Sequence, residues 1–153
     1  MNLEVRVFDT KLMKRLFYSF VSYNILAALI SSWLHFIRIS YVPGKSFMIE
    51  NSKVIFTVLL VITFAFTMDL RRRIKKIRQL SEMENQFRVY EQYYRRRLIW
   101  NCFSVSLSGL FLVLTHRDWF FYLLLLEVVM SFSAYPSKQL IQTELKDREI
   151  LVS

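Results

Sequence analysis

The 153-residue sequence predicts an all-α integral membrane protein: four transmembrane helices with a cytoplasmic helical hairpin between the second and the third. Three observations carry this. Apolar residues make up 54% of the chain, and they are gathered into four blocks rather than spread as the one-sided stripes of soluble helices. Glycine and proline number only two each, and of these only Gly109 falls inside a block, so little in the blocks opposes a helix. Lysine and arginine concentrate in alternate connections, the pattern that orients spans in a bilayer.

Residues 1–10 are short and mixed, with Leu3, Val5 and Val7 alternating against Glu4 and Arg6, as in a strand fragment or an arm. Asp9 or Thr10 can cap a helix over about 12–37, because a short oxygen-bearing side chain satisfies first-turn amides. Its apolar block, 16–37, holds no Lys, Arg or acid. Lys11, Lys14 and Arg15 before it imitate a signal peptide. The block is longer than a usual signal core and no small-x-small cleavage site follows, so the expectation is a retained helix. Residues 38–53 read as a loop turning at Pro43-Gly44.

The second helix is expected over about 54–80, its block closing at Asp69 and Arg71, Arg72 and Arg73. In 71–97, Ile74, Ile77 and Leu80 make one apolar stripe, and Met83, Phe87, Tyr90 and Tyr94 make another. Ser81 and Glu84 form a capping box that ends one helix and starts the next, expected over about 82–115. The hairpin 71–97 would set the two stripes face to face. Their heptad spacing is too short a run for a coiled coil. After a turn at 116–118, the fourth helix is expected over about 119–135. At about 1.5 Å per residue it reaches roughly 25 Å, short of a full span without its flanks. Pro136 stops it, and Ser137 can cap an amphipathic segment over 137–149 carrying Leu140, Ile141 and Leu145. The whole, 1–153, reads as one membrane domain.

Topology follows from the charges. Residues 71–97 hold ten Lys or Arg against three acids, most of the net charge of +9. The N-terminal flank and the tail, with Lys138, Lys146 and Arg148, are also basic. The opposite connections hold Arg38, Lys45 and Lys53 in one and Arg117 in the other. The positive-inside rule then puts both termini and the hairpin in the cytoplasm, in a multi-pass arrangement in the inner (plasma) membrane. The halves also read as a weak parallel repeat, Lys14-Arg15-Leu16-Phe17 aligning with Arg96-Arg97-Leu98-Ile99, a pattern that any basic entry into a membrane can produce.

Each block carries a small or polar stripe at helical spacing: Asn24, Ala27 or Ala28, Ser31 and His35; Thr63 and Thr67; Asn101, Ser104 and Ser108; Glu127, Ser131 and Ala134. Such stripes let helix backbones approach and bond across where lipid supplies no hydrophobic drive. Counting depth from the cytoplasmic entries puts Glu127, Asn24, Thr63, Ser104 and Ser108 in one intramembrane layer. A charged Glu at that depth costs on the order of 3 kcal/mol on insertion scales. It needs a partner, a water-filled cavity or a proton, and low dielectric favours the neutral acid. A structural, hydrogen-bonded Glu127 and a proton or ion site are both open at this point. His35 reads as an interfacial polar tip.

No His/Cys/Asp/Glu cluster has metal-ligand spacing, and no glycine-rich phosphate loop, nucleophile elbow or zinc-protease helix is present. The expectation is no catalytic residue, no metal and no cofactor. The lone Cys102 permits no intramolecular disulfide. Arg71, Arg72, Arg73, Lys75, Lys76, Arg78, Arg95, Arg96 and Arg97 form a basic surface interleaved with tyrosines. Nucleic acid is disfavoured, because membrane orientation alone explains the charge; the bilayer, with anionic lipid, is the better partner. A protein partner or self-association through the aromatic stripe is also open. The expected function is a non-catalytic accessory or scaffold subunit, or a homo-oligomer. The alternative is a small oligomeric proton- or cation-coupled transporter or channel using Glu127.

Overall fold

A computed structural model of the chain describes residues 7–8, 10–37, 45–80, 83–145 and 151–152. The protein is helical: α1 (Lys11–Ile37), α2 (Lys45–Glu50), α3 (Ser52–Ile77), α4 (Met83–Thr115), α5 (Asp118–Phe132) and α6 (Lys138–Leu145). A two-residue parallel ladder pairs β1 (Val7–Phe8) with β2 (Leu151–Val152) and brings the two ends of the chain together. Three helices, α1, α3 and α4, are long and apolar enough to cross a membrane. At about 1.5 Å per residue, 26 or 27 residues reach roughly 40 Å, more than the hydrocarbon core of a bilayer. Their outward surface is lipid-like rather than soluble: Leu29, Trp33, Phe36, Val61 and Phe64 are all exposed. These helices are compatible with membrane insertion.

The fourth apolar block departs from the expected 119–135. Helix α5 has 15 residues and ends at Phe132, after which Ser133, Ala134 and Tyr135 donate to carbonyls three residues back. The cause is Pro136, which biases the residue before it away from helical geometry and tightens the last turn. At roughly 22 Å, α5 alone falls short of a span. The first connection also differs from a plain loop. It contains α2, fastened where Asn51 donates from its side chain to the Phe47 carbonyl at 2.9 Å. Helix α3 therefore starts at Ser52 rather than 54, and at its other end it stops at Ile77 rather than 80. The Pro43-Gly44 turn, Asp9, Ser81 of the capping box and residues 146–149 of the last segment lie outside the described residues.

Helix α1 packs on α4 and α5, and α3 packs on α4. Two apolar clusters hold the bundle. One gathers Met13 and Phe17 of α1, Ile74 and Ile77 of α3, Tyr90, Tyr93 and Tyr94 of α4, and Ile141 and Leu145 of α6. The other gathers Val105, Leu112, Phe120 and Leu124, with Ala27 and Ala28 against them. Between α1 and α4 the approach is close: a methyl added at Gly109 would overlap the Ser31 hydroxyl and lie 3.0 Å from Ser31 Cβ. Between α4 and α5 the turn takes two residues. His116 adopts φ 52° and donates its N–H to Leu112 at 2.9 Å, a left-handed helix cap that histidine tolerates better than most residues.

Candidate functional site

In sequence order along α1, α4 and α5, the two apolar clusters are separated by polar residues, and these form a buried hydrogen-bonded group. Asn24, 1% exposed, donates through Nδ2 to Asn101 Oδ1 at 2.7 Å and to Ser131 Oγ at 3.0 Å. One amide thereby joins α1 to both α4 and α5. Ser131 Oγ lies 2.5 Å from Asn101 Oδ1 and 2.9 Å from the Glu127 carbonyl, so its single proton is shared between two acceptors. The Ser104 hydroxyl donates to Glu127 Oε1. Ser108, one turn on, is 2% exposed and faces the same carboxyl group.

Two acceptors in this layer, Asn24 Oδ1 and Glu127 Oε2, are shielded from solvent and have no hydrogen-bond partner. Each unmet buried acceptor costs about 1–3 kcal/mol, so the layer is polar beyond what packing needs.

A groove of about 520 Å³ runs over α4 between α3 and α5, and Glu127, Asn101, Ser104 and Ser131 line it. Thr63 and Thr67 line its α3 wall without a hydrogen bond to Glu127; the Thr67 hydroxyl donates instead to the Thr63 carbonyl at 2.8 Å. The sequence-derived layer is thus split: Glu127, Asn24, Ser104 and Ser108 lie within the bundle, and Thr63 stands across the groove. Asn101 and Ser131, which link the group, were visible in the sequence only as members of stripes. Phe66 and Trp100 stack in the groove wall with centroids 4.1 Å apart and planes 18° from parallel.

At the groove's far end a second constellation ties α6 to α4, and the sequence did not single out its central residue. Glu144 Oε1 accepts from Arg97 Nη1 at 2.8 Å, and Oε2 accepts from the Tyr90 hydroxyl at 2.7 Å. Arg78 donates through Nε to the Glu144 carbonyl at 2.5 Å and through Nη2 to that of Thr143 at 3.4 Å. Tyr94 donates to the Ala134 carbonyl at 2.8 Å, satisfying an end that α5 leaves open. These tyrosines precede the apolar part of α4. Burial, with the Glu144 carboxylate adding to it, pushes the Tyr90 hydroxyl far above its ordinary value and that of Tyr93 up to about 12.

The basic surface divides accordingly. Arg78 and Arg97 are spent on α6, and Arg73 is paired with Asp69 at 2.6 Å. Arg71, Arg72, Lys75, Lys76, Arg95 and Arg96 are exposed. At the opposite end of the bundle His35 is not a lone polar tip: its Nδ1 lies 3.3 Å from Nδ1 of His116, which requires one ring to donate and the other to accept. Neither a protein-family model, nor a curated protein, nor a solved structure matches this chain.

Proposed function

We propose that the protein is a four-pass component of the inner (plasma) membrane, with both termini and residues 71–97 in the cytoplasm. There it acts without catalysis as an accessory or scaffold subunit whose basic surface rests on anionic lipid. Helix α5 completes the fourth crossing together with the turns at its two ends. One observation carries the lipid reading. Tyr90 and Tyr94 of α4 are fully buried and Phe87 is half-buried, while the cations beside them are exposed. A surface this rich in exposed Arg and Lys suits phosphate headgroups, with Leu80 and Val89 half-buried among the cations. Each such residue near a charged leaflet contributes about 1 kcal/mol, screened over about 10 Å at 0.1 M salt.

The test is full-length protein in nanodiscs of phosphatidylcholine containing a fluorescent phosphatidylglycerol. The expected result is an excess of the anionic lipid around the protein at low salt that shrinks as salt rises. Equal association of labelled phosphatidylcholine and phosphatidylglycerol at every salt concentration rejects the reading.

A second reading, proton or cation coupling through Glu127 in a small oligomer, is favoured by the unpartnered Oε2 beside the groove. Its test is dissipation of a pH gradient in proteoliposomes. A leak that Glu127→Gln abolishes supports it, and a wild-type leak equal to that of empty vesicles counts against a proton channel.

A further inference from the structure

We propose that the groove between α3, α4 and α5 is a binding site for a lipophilic cation, an amine or onium centre on an apolar body, with the positive centre held at Glu127. This does not rest on the lipid-surface reading, since it turns on the buried Glu127 and not on the exposed cations; it deepens the second reading, with which it shares that residue, and cation binding is measured apart from any proton leak.

Glu127 is 7% exposed; one carboxyl oxygen accepts from Ser104, Ser108 faces the group, and the other oxygen makes no hydrogen bond. A buried carboxyl oxygen without a donor is satisfied by a proton, a water, a cation or a ligand N–H, and a cation in the groove competes with the first two. The space beside it matches. About 520 Å³ lies within the range that holds a drug-sized molecule, with largely apolar and aromatic walls and a few polar groups gathered at one level. Phe66 and Trp100 supply ring surface of the kind that attracts cations. The rim opens on the lipid-facing side, where Leu60, Leu126 and Met130 are exposed. A ligand already dissolved in the bilayer therefore enters sideways.

Charge selects the class. The groups facing Glu127 are uncharged on every element: Ser104 and Ser108 on α4, Ser131 on α5, Thr63 on α3, and Asn24 on α1 behind it. The other charged groups along the groove are Arg71, Arg97 and Glu144 at its far end, where Arg97 and Glu144 neutralise each other at 2.8 Å. A positive centre at the Glu127 level thus meets one carboxyl group and no competing cation.

The experiment is equilibrium binding of tetraphenylphosphonium to full-length protein in nanodiscs, with tetraphenylborate as the anion of the same shape. The expected result is saturable binding of the cation above that of empty nanodiscs. It weakens as pH falls, because a proton competes for the same carboxyl group. Glu127→Gln is expected to lower affinity by about tenfold or more, the difference between a charged and a neutral acceptor, with thermal stability unchanged. Met130→Trp, which fills the groove from its rim without touching the carboxyl group, is expected to abolish binding and keeps the test open if Glu127→Gln fails to fold. Tetraphenylborate saturating the site as well as the cation does, equal cation binding by wild type and Glu127→Gln, or unchanged binding by Met130→Trp would each overturn the proposal.

Discussion

Removing the Glu144 carboxylate is the sharpest perturbation of the α4–α6 contact. Eight residues make a marginal helix on their own, so α6 owes its order to docking. That docking has an apolar part, Ile141 and Leu145, and a polar part centred on Glu144. Glu144→Ala deletes the hydrogen bond from Tyr90, worth about 1.5–3 kcal/mol because the acceptor is charged. It also deletes the ion pair with Arg97. The two side chains of that pair are 24% and 17% exposed, so solvent discounts it to about 1 kcal/mol. The sum is about 3 kcal/mol, equivalent to about a hundredfold in the opening equilibrium of α6. Arg78 still holds the Thr143 and Glu144 carbonyls, so the helix loosens without being released. Hydrogen–deuterium exchange over 138–145 should accelerate by that factor, with Glu144→Gln, which keeps an acceptor for Tyr90, in between. A cycle with Tyr90→Phe isolates the hydroxyl's share. Exchange within about twofold of wild type in Glu144→Ala would refute the clamp, since such a change corresponds to well under 1 kcal/mol.

Two further perturbations probe the contacts of α1 with α4 and α5. Asn24→Leu removes two interhelical hydrogen bonds but also an acceptor that has no partner, and Asn101 and Ser131 can still bond each other. With interhelical bonds averaging about 0.6 kcal/mol, the expected loss is about 1 kcal/mol, read as a small drop in detergent melting temperature. A collapse of folding would mean that the layer depends on Asn24 far more than its bonds imply. Gly109→Ala should destabilise more strongly, because the added methyl has no room against Ser31. Ser31→Gly in the same chain should restore stability, and a harmless Gly109→Ala would contradict the close approach of α1 to α4.

Hydropathy is a local property, which is why the three long apolar helices and the all-helical class were legible in the sequence. Depth counting is nearly local too: helical rise is fixed, so Asn24, Ser104 and Glu127 read as one level, and hydrogen bonds link them into a group with Ser131 and Asn101. What the pattern lacked was rotation about each helix axis. Thr63 shares the depth yet stands on the far wall of the groove, because α3 leans on α4 rather than on α5. Glu144 was invisible for another reason. Its partners Tyr90 and Arg97 lie 54 and 47 residues away, and no periodicity relates residues that far apart. The helix in the first connection was hidden because a six-residue turn carries no stripe. The early end of α5 had a sequence signal in Pro136, but its reach back to Ser133 depends on how the last turn tightens.

The proposed topology has four crossings with residues 71–97 and both ends of the chain on the cytoplasmic side, and α5 is the helix on which it turns. In a Cys102→Ser background, single cysteines at Ser46, Gln92 and Gln139, all exposed, are challenged on intact cells with a membrane-impermeant thiol reagent. Labelling is expected at position 46 alone, with 92 and 139 reacting only after lysis. Labelling of 139 together with 46 would show that α5 does not cross, and labelling of 92 without lysis would invert the orientation; either result contradicts the proposed topology.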